Sequence, residues 1–355
     1  MIERKTVLII GAGASSECGL PVGAQLKGHI AQLLDIRFEH GFNQISGDNT
    51  ICEALRVAVQ QQNPSGRDIN PCLYACWRIR DAMPQATSID NFIDVHQGNN
   101  RIELCGKLAI VRSILEAEKG SHLYFDPYGE RRAPQFGSLQ STWFNSFFQL
   151  LTENCKSAQL EQRFAGLTLI IFNYDRCVEH FLFYALQNYY GVSSDQSAAL
   201  LNKLAVFHPY GSVGPLPWQK RNGAVDFGAE AGPSGVLALA QQIRTFTEGT
   251  DPGQSDIEHI RKRFFDSQIV LFLGFAYHRL NLQLLRTEGV VHSNPGQTKY
   301  FGTAVDISHS DCVEITQELQ ELGAVPNNHI HVRNDLTCAR LFGEYWRSLS
   351  LARFA

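Results

Sequence analysis

The sequence predicts an α/β fold, a doubly wound parallel sheet with an inserted helical domain. Three observations favour this class. Short apolar runs rich in β-branched residues recur along the chain, as is typical of parallel strands buried on both faces. Segments with apolar residues at helical spacing separate these runs, and the alternation of strand and helix is typical of a doubly wound sheet. Residues 35–164 lack strong strand runs, and apolar residues recur there at helical spacing between loop segments.

Six segments have the strand pattern: Val7–Ile10, Leu167–Phe172, Leu204–Phe207, Ile269–Leu273, Tyr300–Val305 and His329–Val332. Helices are predicted over Leu20–Leu34, from about Arg176, over Ile257–Phe265 and over Leu336–Leu349. We therefore predict a discontinuous Rossmann-like domain formed by residues 1–34 and 165–355. The helical insertion is predicted to span residues 35–164.

Composition indicates a soluble globular protein. The chain has 355 residues and a formal net charge of −4, so its charge gives no case for nucleic acid or an anionic membrane as a partner. No apolar run approaches the ~20 residues that a membrane helix needs. The run Val7–Ile10 is too short for a signal peptide, and we expect a cytoplasmic location.

The nine cysteines predict free thiols, mostly buried, and no metal site. Their number is odd, they are scattered, and no Cys-x-x-Cys pair occurs. The closest pair is Cys72 and Cys76, and no second pair follows that could complete a tetrahedral zinc site.

The first strand leads into a glycine-rich turn, Gly11-Ala12-Gly13-Ala14-Ser15. Glycines allow a sharp turn and close approach of a ligand, and the start of a following helix favours phosphate. Ser16 stands where the third glycine of the dinucleotide-binding pattern would be. The alternative is a tight strand-to-helix turn, as any α/β protein can have.

Polar residues follow four of the predicted strands. These strand-end segments are Gly11–Ser15, Asn173–Asp175, His208–Ser212 and Gly274–Tyr277. Ligands of open parallel sheets bind beyond the carboxyl ends of the strands, so the four segments are predicted to face one crevice. Taken alone, Asn173 and Asp175 could simply cap the next helix, and His208 could be an ordinary loop histidine.

These motifs, in this order, resemble those of sirtuin-type NAD-binding domains. The resemblance rests on Gly11–Ser15 followed by Gly19-Leu20-Pro21, then Phe172–Asp175, His208–Ser212 and Leu273–Ala276. Ser88-Ile-Asp-Asn-Phe92 also resembles a segment of bacterial sirtuin-like proteins of phage defence. The resemblance covers residues 1–34 and about 165–306.

The departures from the sirtuin pattern matter for function. Residues 209–273 contain no cysteine, whereas sirtuin deacylases have a four-cysteine zinc module there. The stretch after Pro21 lacks the aspartate, phenylalanine and arginine of the sirtuins, and His208 is followed by Pro-Tyr-Gly211. The resemblance therefore implies NAD as substrate and water as acceptor, with no zinc and no acyl-lysine peptide.

The resemblance also implies roles for single residues. Asn173 would orient the ribose hydroxyls or the attacking water, His208 would be the general base, and Asp175 would stabilise the cationic ribose or orient a neighbour. The cofactor-binding residues implied are Gly11, Ala12, Gly13 and Ser15 at the pyrophosphate, Gly274 and Phe275 under the adenosine half, Asp306 at its ribose, and Pro21, Gly211 and Ser212.

The expected function is an NAD⁺ hydrolase (NADase) that yields ADP-ribose and nicotinamide and depletes NAD in anti-phage defence. Cyclisation stays open as the chemical outcome. Relatives by resemblance form homo-oligomers, and some work with a partner ATPase of the HerA type. The alternatives are a non-catalytic NAD or ADP-ribose sensor, a protein deacylase without zinc, and a dehydrogenase.

Overall fold

The computed structural model describes residues 4–220, 222–253 and 255–350. The outermost parts of the predicted discontinuous domain, residues 1–3 and 351–355, lie outside the described residues. The strands in the described residues are β1 (Thr6–Ile10), β2 (Arg37–Glu39), β3 (Asn43–Ser46), β4 (Leu167–Ile171), β5 (Ala205–Phe207), β6 (Ile269–Leu273), β7 (Lys299–Thr303) and β8 (Ile330–Arg333). All six predicted strands are therefore confirmed, each within two residues at either end.

The central sheet has the strand order β5-β4-β1-β6-β7-β8, and all of its pairings are parallel. Counting only these six strands along the chain, the order is 3-2-1-4-5-6, as in dinucleotide-binding doubly wound domains. The predicted Rossmann-like α/β class is confirmed. The order reverses between β1 and β6, and the carboxyl ends of these strands form the switch point at which open sheets bind ligands.

Helices cover both faces of the sheet. In chain order they are α1 (Ala12–Ser15), α2 (Gly23–Leu34), α3 (Asn49–Gln62), α4 (Asn70–Ala82), α5 (Ile89–Val95), α6 (Asn100–Gly120), α7 (Trp143–Thr152), α8 (Leu160–Ala165), α9 (Cys177–Tyr190), α10 (Ser194–Leu201), α11 (Pro233–Ala240), α12 (Phe246–Thr250), α13 (Ile257–Phe265), α14 (Arg279–Leu285), α15 (His309–Gly323), α16 (Cys338–Glu344) and α17 (Trp346–Leu349).

Successive side chains of each strand enter different cores, because the side-chain period of a strand is two. Val7 and Ile9 of β1 pack in a core with α2–α6, α11 and α13–α15. Leu8 and Ile10 pack in the other core with α7–α10 and α16. Strands β1, β4 and β6 are therefore buried at every position and apolar except at Thr6 and Thr168, which is why they could be recognised in the sequence.

The segment predicted as a helical insertion contributes to both cores. Its helices α3–α6 pack on one face, whereas α7 and α8 pack on the other. It also contains the antiparallel hairpin of β2 and β3, which the sequence analysis did not predict. The hairpin strands are exposed or half-buried and lack an apolar alternation, so the strand pattern is absent from them. The division of the chain into two domains stays a prediction.

A buried ion pair joins the end of α6 to the segment directly after β4. The Arg176 guanidinium donates to both oxygens of Glu118, with 3.0 Å between Arg176 Nε and Glu118 Oε1, and the side chains are 1% and 0% exposed. Glu118 also accepts the Gly228 N–H at 3.0 Å, and Arg176 donates to the Val225 carbonyl at 2.6 Å. The pair thus connects three chain segments that are distant in sequence.

We expect Glu118→Gln to lower the free energy of unfolding by about 3–5 kcal/mol, because it leaves the buried Arg176 cation without its counter-charge. Unfolding in urea measures the change. Glu230→Gln is the matched control, since its ion pair with Lys119 is solvent-exposed and such pairs contribute little. An equally small loss for both variants would contradict a structural role for the buried pair.

Candidate functional site

The turns after β1 and β6 are in direct backbone contact at the switch point. The Gly11 N–H donates to the Leu273 carbonyl and the Gly13 N–H donates to the Gly274 carbonyl, both at 3.0 Å. An added Cβ at Gly11 would lie 2.6 Å from the Gly274 oxygen, and one at Gly274 would lie 1.9 Å from the Ala14 nitrogen. Gly274 also has a positive φ of 53°. Packing alone therefore requires glycine at these positions.

This contact bears on the predicted pyrophosphate role of Gly11, Ala12, Gly13 and Ser15. Helix α1 has four residues, and the Ala14 N–H donates back to the Gly11 carbonyl at 3.0 Å. The amides of Gly11, Gly13 and Ala14 therefore already have acceptors within the chain. The pyrophosphate role stays a prediction.

Three of the predicted side chains form one buried hydrogen-bonded cluster. Ser15 Oγ donates to Asp175 Oδ2 at 2.9 Å, and the Asn173 amide donates to the same carboxylate and to Ser15 Oγ. Asp175 Oδ1 accepts the Cys177 N–H at 3.0 Å. Asp175 thus accepts the first N–H of helix α9 from the position before the N-cap residue Arg176, and at the same time it ties the β1 turn to the β4 turn.

The environment of Asp175 disfavours its charged form. The residue is 1% exposed, and burial raises the pKa of its carboxyl above the ordinary value, although the bonds from Cys177 and Ser15 act in the opposite direction. A carboxyl with a raised pKa in a strand-end cluster is a feature that functional sites often have.

His208 lies beside this cluster, with an oxygen acceptor next to each ring nitrogen. Nδ1 lies 3.2 Å from the Asn173 carbonyl oxygen, and Nε2 lies 2.7 Å from Glu179 Oε1. Two acceptors favour the doubly protonated imidazolium. Burial by itself lowers the pKa of His208, but the Glu179 carboxylate and the Asn173 carbonyl outweigh it, and the pKa is raised. In this arrangement His208 is a donor and offers no lone pair.

Glu179 is the site residue that the sequence analysis missed. It lies in the first turn of α9 and is 4% exposed, and its Oε2 has no hydrogen-bond partner within the described residues. An acid within a run of apolar residues on a helix packed against the sheet is costly to bury. This acid in an apolar run could be seen in the sequence, but Glu179 lies outside the strand-end motifs from which the site was predicted.

A second layer of contacts connects the cluster to the predicted insertion. The Tyr174 hydroxyl donates to the Asp90 carboxylate, close to the start of α5. Ser88 caps this helix as the sequence indicated, with its Oγ accepting the Asn91 N–H at 3.0 Å. The segment Ser88–Phe92 therefore reaches the residue that follows Asn173.

The other predicted cofactor-binding residues lie in different surroundings. Phe275 is 2% exposed and packs on Phe172 at a ring distance of 5.1 Å, so its side chain belongs to the core. Gly211 has a φ of 75°, and a Cβ there would lie 1.9 Å from the Gln242 oxygen. Pro21 and Ser212 are half-buried, and Asp306 is exposed after β7. The binding roles of Pro21, Gly211, Ser212, Gly274, Phe275 and Asp306 stay predictions.

The thiols are buried and free. All nine cysteines are free and buried, as predicted. Within the described residues, no group of three or more histidine, cysteine, aspartate or glutamate side chains is arranged to hold a metal ion. No helix in the described ranges is both long and apolar enough to cross a membrane.

No family model matches this chain, and no curated protein matches it. The sirtuin-like resemblance therefore stays a prediction that rests on the motifs.

We expect Glu179→Gln to alter the pH dependence of stability. The raised pKa of His208 means that its protonated form stabilises the fold. This stabilisation is complete below the unfolded pKa of about 6.5 and is lost as the pH rises through the higher folded value. Urea unfolding of the wild type should therefore give less stability as the pH rises above about 6.5, and Glu179→Gln should remove most of this slope.

The matched control is Glu161→Gln, which removes an exposed partner of Lys203. Its slope should equal that of the wild type. A Glu179→Gln protein that keeps the full slope would show that His208 does not depend on Glu179 for its charge.

Proposed function

We propose that this chain hydrolyses NAD⁺ at the bond between the nicotinamide nitrogen and ribose C1′, releasing nicotinamide and ADP-ribose. The observation that carries the proposal is the joining of Ser15, Asn173, Asp175 and His208 by hydrogen bonds at the carboxyl ends of β1, β4 and β5, next to the switch point. The strand order is the one that dinucleotide-binding domains use, which supports a dinucleotide as substrate.

Asn173 is suited to orient the ribose or the attacking water. Its amide donates to Asp175, and its Oδ1 accepts the Tyr174 N–H at 3.2 Å. Both N–H donors are engaged, by Asp175 and Ser15, so the second lone pair of Oδ1 remains to accept a bond from a hydroxyl or a water. The bonds already formed fix the orientation of the amide, which favours a single geometry of attack.

His208 is suited to accept the proton of the water. The water oxygen bonds to C1′, the C1′–N bond breaks, nicotinamide leaves with that electron pair as a neutral base, and the water loses one proton. Neutral His208 can take this proton on a ring nitrogen. Because Asn173 and Glu179 oxygens occupy both nitrogens, His208 must first lose its own proton and give up one contact. Asp175 acts from within the cluster, where it orients Ser15 and Asn173.

The cellular setting follows from the sirtuin-like resemblance. We propose that the enzyme is a cytoplasmic homo-oligomer that depletes NAD in anti-phage defence and that a partner ATPase of the HerA type can control it. Neither zinc nor nucleic acid has a part in the reaction as proposed.

A non-catalytic sensor of NAD or ADP-ribose is the second candidate. It is favoured by the internal bonds of the site, since His208 has both nitrogens engaged and the turn amides have acceptors within the chain. A sensor needs complementarity to the ligand but no free base.

We expect Asn173→Ala and His208→Ala each to lower the turnover of NAD by about 10²–10⁴-fold, because positioning and proton transfer are lost. NAD consumption by the purified protein, with chromatography of the products, measures the change and separates ADP-ribose from its cyclic form. His309→Ala, at an exposed histidine on α15, should keep full turnover.

Calorimetric titration with NAD separates the candidates. NAD binding without NAD consumption by the purified protein, together with an unchanged NAD content of expressing cells, would favour the sensor. No binding at all would contradict both. Equal activity of His208→Ala and wild type would remove His208 from the mechanism.

We also expect the acid limb of the pH–rate profile to follow His208. Turnover should rise with pH through the raised pKa of His208, because only the neutral ring accepts a proton. Glu179→Gln should move this limb to lower pH. A limb at the same pH in both proteins would assign it to another group.

A further inference from the structure

A cationic cleft lies at the opposite end of the sheet from the candidate site. It has a volume of about 370 Å³ and is formed between α13 and the amino ends of β1 and β4. The residues that matter for its chemistry are Lys5, Thr168, His259, Lys262, Arg263 and Asp266. Strands β1 and β4 run from this cleft to the glycine turn and to Asn173.

The positive charge of the cleft is largely uncompensated. Lys5 faces Asp266 at 3.9 Å, which is the one ion pair among the lining residues in the described part of the chain. His259, Lys262 and Arg263 have no carboxylate within ion-pair distance among the described residues, and all three are exposed. Several like charges around one concavity raise the local concentration of anions.

The helix dipole explains this arrangement only in part. Lys262 and Arg263 lie in the last turn of α13, where cations are favourable. Lys5 directly precedes β1, so its position at the cleft is independent of this helix. The dipole of α13 alone therefore does not explain why these cations converge on one cleft.

A hydroxyl also lines the cleft. Thr168 of β4 lies next to Val7 of β1 in the sheet, and its Oγ1 forms no hydrogen bond with any described residue. This oxygen is open to the cleft, where it can bond to water or to an acceptor oxygen of a ligand.

We propose that the cleft binds a small phosphate-bearing anion. The charge selects for an anion with several oxygens, since arginine and lysine both recognise phosphate. The volume is at the lower end of the ~300–1,000 Å³ of ligand pockets, which favours an inorganic phosphate or a mononucleotide over a whole dinucleotide. This site is therefore distinct from the one proposed for NAD, and it does not depend on NAD hydrolysis.

Calorimetric titration of the full chain with inorganic phosphate and with AMP, each at about 150 mM salt, tests the proposal. We expect saturable binding of at least one probe at one site per chain. Lys262→Gln/Arg263→Gln should weaken it by about tenfold or more, because two charged donors are lost. Thr168→Val should weaken it by a smaller factor while keeping the shape of the strand.

The control is Arg340→Gln/Arg347→Gln, which removes two exposed charges on α16 and α17 and should leave the affinity unchanged. Tighter binding of AMP would identify a phosphoester, and equal or tighter binding of phosphate would identify the free ion. Absence of saturable binding of either probe, an equal loss in the control, or binding of an oligonucleotide only would overturn the proposal. The affinity for NAD is measured in a separate titration, and Lys262→Gln/Arg263→Gln should leave it unchanged.

Discussion

The close approach of two glycine turns at the switch point determines the geometry of the candidate site. Gly11 and Gly13 donate to the carbonyls of Leu273 and Gly274, and a Cβ at either glycine would lie under 3 Å from the β6 turn. The pairing of β1 with β4 places Ser15 beside the carboxyl end of β4, where its Oγ donates to Asp175. The packing of the two turns requires these glycines whether or not a ligand binds. The glycines alone therefore do not identify a phosphate-binding turn.

Buried polar pairs then fix the site within the fold. The pairs Glu118–Arg176 and Ser15–Asp175 and the pair His208–Glu179 each join segments far apart in the chain. Burying these groups is costly, and each cost is offset only while the partners stay together. The buried pairs therefore specify one geometry around Asn173. Apolar residues in their place could give a more stable fold, but they would not specify this geometry. Such preorganisation would serve the proposed reaction, in which the ribose is held in one orientation.

The sequence indicates the sheet better than it indicates the site. Strands such as β6 are apolar at all positions because both faces are covered, and that signal is local. The contact between His208 and Glu179 joins residues on two segments, and no local pattern encodes it. Phe275 follows a strand end as the predicted binding residues do, yet its ring lies in the core, because the direction of a side chain in a turn depends on neighbours that are distant in sequence. The hairpin of β2 and β3 is polar and exposed, and hydrophobic periodicity carries no information about such strands.

The internal bonds of the site bear on how an NAD-consuming enzyme would be restrained. In the geometry described here, the donors of the β1 turn bind carbonyls of the chain, and His208 is held by Asn173 and Glu179. A substrate would have to replace some of these contacts with its own, and the affinity it gains is reduced by the free energy of breaking them. Tyr174, next to Asn173, is bonded to Asp90 near the start of α5, so a shift of that helix would alter the segment that carries Asn173. A contact on the predicted insertion could therefore change the proportion of molecules with an open site, which is the coupling that control by oligomerisation or by a partner requires.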